Sequence, residues 1–116
     1  MHELTVTHEI LAIVLRYARQ NRVSQVHRIT LEIGQLSDLE QPWIQRYFDA
    51  ISRGSLAEGA IIEVETPLCR FRCNVCSHEF CMSLSADEPV LCSGCGSKDV
   101  QMISGAEYKV KSMEAT

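Results

Sequence analysis

Residues 73–95 read CNVCSHEFCMSLSADEPVLCSGC, and the two CxxC pairs in this stretch decide how the chain around them folds. Cys73 and Cys76 form the first pair, Cys92 and Cys95 form the second, and 15 residues separate the two pairs. Each pair can form a tight turn that directs two thiolates at one point, and two such turns complete a tetrahedron. The sequence therefore predicts one structural Zn(2+) held by these four cysteines.

Two other chemistries use cysteines at similar spacing. A disulfide framework is disfavoured in a reducing compartment, whereas a rubredoxin-like iron site has similar turns and is not separated from zinc by spacing alone. Cys69 and Cys81 lie outside the pairs, and we interpret both as packing residues, with Cys69 a buried small hydrophobe at the end of a strand. Cys81 could alternatively join the metal site under stress. We interpret His78 as a solvated turn residue that could compete for zinc in an alternative state.

The cysteine-rich stretch belongs to a lobe that we place at residues 69–98. A segment of roughly thirty residues cannot bury enough apolar surface to fold alone, so an added constraint is expected. A bound metal supplies that constraint. We therefore predict a zinc-ribbon-like lobe inserted into a larger domain that comprises residues 1–68 plus 99–116.

The periodicity of the flanking sequence alternates between helix and strand. Pro42 is tolerated only in the first turn of a helix, so the second helix should begin near Glu40, and Gly54 fits the C′ position after Arg53. The implied fold class is α+β, a small three-stranded sheet with two helices. The predicted order is a helix over Thr5–Gln20, a strand over 27–33, a helix from Glu40, a strand over 60–66, the lobe, and a strand over 100–113.

Charge and apolar patterning limit the partners of the chain. The 116 residues carry a formal net charge of -4, and the lobe has no basic stripe with interleaved aromatic residues, so we expect no nucleic-acid partner. The longest apolar run, Ile10 to Leu15, is too short to span a bilayer, and the first residues do not resemble a signal peptide. We therefore expect a cytoplasmic protein without membrane insertion.

The first three residues form a second candidate metal site. The Met1 amine, the His2 amide nitrogen and His2 Nδ1 can form fused chelate rings around one metal, and Glu3 could add an oxygen. Such nitrogen-rich, roughly square-planar coordination suits Ni(II) or Cu(II) rather than zinc. The amine, with a free pKa of about 8, must lose its proton, so binding should strengthen as pH rises. Taken alone, these residues also fit the simpler interpretation of a frayed terminus.

Several motifs together make the chain resemble the HypA/HybF family of hydrogenase nickel-incorporation proteins. The resemblance covers essentially all 116 residues, and it is specific as a combination although each motif alone is not. The residues that carry it are MHEL at 1–4, LEIGQLS at 31–37, the region of Phe48, RGSLAEGA at 53–60, and the two CxxC pairs in their family order.

The resemblance implies a function and a set of ligands. Members of the family are metallochaperones that receive Ni(2+) and help insert it into the large subunit of [NiFe]-hydrogenase, and some members also supply urease. They work with a nickel-binding GTPase, HypB. For this chain the resemblance implies nickel ligands at His2 and Glu3 and zinc ligands at the four paired cysteines. Some members of the family carry a histidine shortly after each CxxC pair. His78 is the counterpart after the first pair, whereas Gly96 follows the second, so we expect no alternative zinc site made of two histidines and two cysteines.

Two rival classes of protein can be compared with this interpretation. A catalytic zinc keeps an open coordination position, which a site filled by four thiolates lacks, so we expect no enzyme. The alternative function is a zinc-stapled protein-interaction adaptor without specific nickel binding. Stoichiometric nickel binding would separate the adaptor from a metallochaperone.

Overall fold

A computed structural model of the chain describes residues 3–85 and 87–116. The chain forms two compact units. The first unit contains the described residues up to Glu32, together with Asp38–Glu65 and Lys109–Thr116. The second unit contains Ile33–Ser37 and Thr66–Tyr108. The helices and strands along the chain are α1 (Glu3–Gln20), β1 (Val26–Ile33), α2 (Gln41–Ile51), β2 (Ile61–Glu65), β3 (Cys69–Cys73), β4 (Glu79–Met82), β5 (Val100–Ser104) and β6 (Tyr108–Ala115).

The first unit is a three-stranded sheet with two helices. The strand order is β2-β1-β6, and β1 runs parallel to β2 with Ile29 opposite Ile62. Parallel neighbours need a crossover connection, and α2 provides it. The predicted α+β fold of two helices and a small sheet is confirmed.

Helical spacing of apolar residues places the core of this unit. Ile10, Val14 and Ala18 recur every four residues on α1 and are fully buried, so one stripe of the helix faces inward. On α2, Ile44 and Phe48 are buried in the same way. Each fully buried aliphatic or aromatic side chain contributes about 1.5–3 kcal/mol, so this core can stabilise the unit without a metal.

The ends of α2 agree only in part with the sequence prediction. Glu40 is the N-cap in an extended conformation and Pro42 lies in the first turn, as predicted. The prediction that Gly54 is the C′ residue is wrong, because the helix ends at Ile51 with Ser52 as the C-cap. Gly54 instead has a φ of 79° in the turn that follows, a conformation that glycine adopts without strain.

The second unit is built on an antiparallel sheet with the order β4-β3-β5. Phe71 of β3 lies opposite Phe80 of β4, and their rings stack at a centroid distance of 5.6 Å. Cys69 is fully buried, as predicted, but it begins β3 and does not end a strand. Cys81 is exposed on β4, so its interpretation as a packing residue is wrong.

The single strand predicted over residues 100–113 is also wrong, because this stretch forms two strands in different sheets. β5 pairs with β3 in the second unit, whereas β6 pairs with β1. Between them Gly105 accepts a hydrogen bond from the Leu36 amide at 2.8 Å, and the Gly34 amide donates to Glu107 at 2.8 Å. These contacts with residues distant in sequence end one strand and begin the next.

No helix in the described part of the chain is long and apolar enough to cross a membrane.

Candidate metal centre

The second unit brings the four paired cysteines together. Cys73 ends β3, Cys76 follows in the next turn, and Cys92 and Cys95 lie in the segment between β4 and β5. Their Sγ atoms all lie within 4.8 Å of one another. The Sγ atoms of Cys73 and Cys95 are 3.6 Å apart, and those of Cys76 and Cys92 are 3.5 Å apart.

The two CxxC turns have the same local hydrogen bonding. In the first turn, the amides of Val75 and Cys76 donate to Cys73 Sγ at 3.3 and 3.5 Å. Amides directed at sulfur favour the thiolate over the thiol, because the sulfur then accepts two hydrogen bonds. The second turn repeats this pattern, with the amides of Gly94 and Cys95 donating to Cys92 Sγ at 3.3 and 3.4 Å.

The residue that follows each CxxC pair has a left-handed backbone conformation, which reverses the direction of the chain. Ser77 has a φ of 64° and Gly96 a φ of 78°, at equivalent positions after the two pairs. The Ser77 amide donates to the carbonyl of Cys73 at 3.1 Å, and the Gly96 amide donates to that of Cys92 at 2.9 Å. Glycine adopts this conformation without strain, whereas serine does so at a cost, so the first turn depends more on its surroundings than the second.

The cysteines differ in how easily they lose a proton. The Cys95 amide lowers the pKa of Cys92 to about 6, against the opposing effect of burial. The His78 amide lowers the pKa of Cys76, but the hydrogen bond to Cys92 and burial outweigh it and raise that pKa to about 12. Cys92 therefore presents a thiolate at neutral pH more readily than Cys76 does.

The donor set and its geometry fit a structural zinc ion. Zinc binds thiolate sulfur at about 2.3 Å, which in a tetrahedron separates the sulfurs by about 3.8 Å. The short sulfur–sulfur distances of 3.5 and 3.6 Å are close to that separation. Four thiolates leave no open coordination position, which suits a structural role.

His78 lies beside this cluster but not within it. Its Nε2 is 3.1 Å from Ser93 Oγ, and its ring stacks on Phe80 with the centroids 6.2 Å apart. The side chain is exposed, in agreement with its interpretation as a solvated residue. The hydrogen bond to Ser93 links the two CxxC turns, a role that sequence spacing did not indicate.

The predicted nickel site lies only partly within the described residues. Met1 and His2 are outside them, whereas Glu3 is buried at the start of α1 with 7% of its surface exposed. Glu3 lines a cavity of about 510 Å³ in the first unit. The other residues that line this cavity are Asp38, Glu40, Trp43 and Tyr47.

Asp38 and Glu40 are candidate oxygen donors that the sequence analysis missed. They lie more than thirty residues from Glu3 in sequence, and nothing in their spacing links them to the N-terminus. The only available signal was their position just before α2, where acidic residues commonly complement the helix dipole. Their place beside Glu3 depends on the packing of α1 against α2.

Fold and site together define a small α+β protein with a four-cysteine metal centre, and the comparisons with known proteins narrow this class. The family model described as "Hydrogenase/urease nickel incorporation, metallochaperone, hypA" matches residues 1–115. A protein named hydrogenase maturation factor HypA from Nostoc sp. is 39% identical over 114 residues, covering 98% of this chain and 95% of that protein. One of the same name from Rippkaea orientalis is 40% identical over 115 residues, with coverage of 98% and 95%.

Solved structures agree with the sequence comparisons. The solution structure of the Ni metallochaperone HypA from Helicobacter pylori has a TM-score of 0.72 and 27% identity, and covers 99% of this chain and 97% of that one. A second solution structure of a HypA protein has a TM-score of 0.75 and 26% identity, with coverage of 100% and 97%. The chain therefore belongs to the HypA family of nickel-incorporation metallochaperones.

Proposed function

We propose that this chain is a nickel metallochaperone that delivers Ni(II) for insertion into [NiFe]-hydrogenase during its maturation, with a structural zinc at its four paired cysteines. The observation that carries the proposal is the family match, which extends over residues 1–115 and so includes both candidate metal sites. The relatives from Nostoc sp. and Rippkaea orientalis are named hydrogenase maturation factors, and the match covers 95% of each of them. A carrier of this kind binds and releases metal and needs no catalytic group.

In this proposal nickel is held at the N-terminus by Met1, His2 and Glu3. The amine, amide and imidazole nitrogens supply the donors that Ni(II) prefers. Asp38 and Glu40 line the cavity that Glu3 also lines, and their carboxylates can supply further oxygen donors. A ligand set at a chain terminus can be dismantled one donor at a time, so the metal is held and yet released to an acceptor.

The zinc site has the opposite task in this proposal. A closed set of four thiolates exchanges its metal slowly in comparison with an open site, so zinc stabilises the second unit and is not itself delivered. The division of labour between a nickel domain and a zinc lobe follows from these different ligand sets. Sulfur donors hold the structural metal, and nitrogen and oxygen donors carry the cargo.

The partners follow from the family and from the direction of metal transfer. The hydrogenase maturation machinery is the expected context, since the family consists of hydrogenase and urease nickel-incorporation proteins. Within it we propose three kinds of partner: a HypB-type nickel GTPase, the [NiFe]-hydrogenase large subunit and urease accessory proteins. These transfers would take place in the cytoplasm.

The experiment that tests the proposal is metal analysis and nickel titration of the untagged protein. Wild type should contain one zinc and bind one nickel per chain. His2→Ala should lose nickel binding and keep its zinc, because the imidazole belongs only to the nickel ligand set. The matched control is His8→Ala, which removes an exposed imidazole from α1 and should leave both metals in place.

Each alternative gives a different result in the same titration. One zinc with no specific nickel binding in wild type would identify a zinc-stapled adaptor, and the metallochaperone function would be given up. Loss of zinc in His2→Ala would show that the two sites are not separate. Nickel titration of three further variants, Glu3→Gln, Asp38→Asn and Glu40→Gln, shows which carboxylates bind nickel. Each substitution keeps the shape of the side chain and removes its charge.

A further inference from the structure

Two glutamines of α2 hold the backbone at the start of the neighbouring strand β2. Gln41 Nε2 donates a hydrogen bond to the Ile62 carbonyl at 2.8 Å, and the Ile62 amide donates to Gln45 Oε1 at 2.7 Å. Gln45 Nε2 also donates to the Ala60 carbonyl at 3.2 Å and to Asp49 Oδ1 at 2.8 Å, and the second of these bonds orients its amide group. We call Gln41 and Gln45 the glutamine clamp, because together they bond to both polar groups of the Ile62 backbone.

The clamp lies on one side of the buried stripe of α2, and the wall of the Glu3 cavity lies on the other side. Successive residues of an α-helix are separated by about 100° around its axis. With this spacing, the core residues Ile44 and Phe48 lie between the clamp and the cavity residues Trp43 and Tyr47. A rotation of α2 about its axis therefore moves the clamp and the cavity wall together.

The apolar core of α2 constrains this rotation less strictly than the clamp does. Ile44 and Phe48 are fully buried, but hydrophobic burial is non-directional and is compatible with a range of rotations. Hydrogen bonds are directional, and they weaken steeply when donor and acceptor are misaligned. The bonds from the clamp to Ala60 and Ile62 therefore fix the rotation of the helix relative to β2.

The position of Glu40 depends on this rotation, because Glu40 directly precedes the clamp residue Gln41. Glu40 is the N-cap of α2, yet its side chain makes no capping hydrogen bond. The side chain instead lines the cavity that Glu3 and Asp38 also line. One clamp residue is thus adjacent to a candidate oxygen donor for nickel, and Gln45 lies one helical turn further along the same face.

We propose that Gln41 and Gln45 are positioning residues of the nickel site, which fix the rotation of α2 so that the Glu40 carboxylate faces the cavity of Glu3. The clamp does not bind the metal and acts through Glu40. All of these residues belong to the first unit. This role rests on the proposed nickel function. Residues that orient metal ligands commonly change metal affinity by roughly 10–100-fold.

Nickel titration of Gln45→Leu tests the proposal, because this substitution removes the bonds to Ile62 and Ala60 and keeps a side chain of similar size. The nickel affinity should fall about tenfold, whereas the zinc content should stay at one per chain. Gln41→Leu removes a single bond and should cause a smaller loss, and it takes the place of Gln45→Leu if that variant does not fold. Gln20→Leu is the matched control, because Gln20 is exposed at the end of α1 in the same unit.

A double-mutant cycle with Glu40→Gln separates positioning from a general loss of stability. If the clamp acts through Glu40, Gln45→Leu should weaken nickel binding about tenfold in the wild-type background and less than about twofold in the Glu40→Gln background. Additive losses would overturn the proposal, because they would show that Gln45 affects nickel binding by another route. Equal nickel affinities of Gln45→Leu and Gln20→Leu would overturn it as well.

The fluorescence of the metal-free protein reports the rotation of α2 without nickel. Trp43 is the only tryptophan of the sequence and lines the cavity, so Gln45→Leu should shift its emission maximum and Gln20→Leu should not. An unchanged emission maximum in Gln45→Leu would show that α2 keeps its rotation and would overturn the role of the clamp. A wild-type protein that binds no nickel would overturn the proposed function and the positioning role together, whereas a nickel-binding wild type with an unaffected Gln45→Leu would overturn the positioning role alone.

Discussion

Gly34 shows how one residue can fix the path of the chain in the second unit. A Cβ at this position would lie 2.2 Å from the carbonyl oxygen of Gly105, which is a backbone atom and cannot rotate away. The Gly34 amide also donates to Glu107 at 2.8 Å, so the two segments are held at this distance. We therefore expect Gly34→Ala to lower the free energy of unfolding of this unit by about 1–3 kcal/mol through overpacking.

Urea unfolding monitored by the release of zinc to a chromogenic chelator measures this effect. Leu36→Ala is the neighbouring control, because Leu36 is 52% exposed and its truncation should change stability by about 0.5 kcal/mol or less. The same unfolding midpoint for Gly34→Ala and wild type would contradict the tight backbone approach.

The proton affinities of the cysteines predict how zinc retention depends on pH. The Cys95 amide lowers the pKa of Cys92 to about 6, so this thiolate is present above that pH and is protonated as pH falls through it. Zinc binds thiolates only, so protons compete with the metal for all four sulfurs and zinc should be released as the solution is acidified from neutral pH to about pH 4. Metal analysis after dialysis across this range tests the expectation, and a full equivalent of zinc at about pH 4 would contradict it.

Sequence reasoning located the cysteines but not the carboxylates near Glu3, and the reason is the range of the interactions. A CxxC pair is a local motif whose turn geometry is contained within four residues, so Cys73 and Cys76 could be assigned to one site from spacing alone. Asp38 and Glu40 approach Glu3 only because two helices pack together. No local pattern records that contact.

The two CxxC turns form one structural element held together by their sulfurs. Cys73→Ala removes a candidate ligand whose sulfur accepts hydrogen bonds from two amides at 3.3 and 3.5 Å. Zinc content should therefore fall well below one per chain, and the second unit should become sensitive to protease. Cys81→Ser is the matched control, because Cys81 is an exposed thiol of the same unit outside the cluster. It should retain zinc and protease resistance. Full zinc content in Cys73→Ala would argue against a four-cysteine site.

The strands show where periodicity fails as a predictor. Residues 61–65 alternate in burial as predicted, because neighbouring residues of a strand face opposite sides of the sheet. Tyr108 and Val110 alternate just as clearly with Lys109 and Lys111 in the sequence. The strand that they mark nevertheless does not extend back to Val100. The break depends on the hydrogen bonds that Gly105 and Glu107 accept from Leu36 and Gly34, which lie about seventy residues away in sequence. Periodicity reports the faces of a strand but not its partner.

The two units of the molecule differ in what holds them together. The first unit has a core of fully buried apolar side chains on both helices and on β1, including Ile10, Ile29 and Phe48. Within Thr66–Tyr108 of the second unit, the buried side chains are mainly Cys69, Phe71, Cys73 and Cys92. Cys73 and Cys92 are candidate zinc ligands. A small unit whose core is largely its metal cluster cannot compensate for loss of the metal by hydrophobic burial.

We therefore expect chelation of zinc to unfold the second unit and to leave the first folded. After treatment with EDTA, deuterium exchange should accelerate across Thr66–Tyr108, whereas amides of α1 and α2 should keep their protection. Restoring zinc should restore protection in the second unit, since binding free energy there is folding free energy. Phe48→Ala is the complementary variant. It should weaken protection of α1 and α2 by about 3–5 kcal/mol through loss of a fully buried ring and leave zinc bound. Simultaneous loss of protection in both units on chelation would show instead that they fold as one cooperative structure.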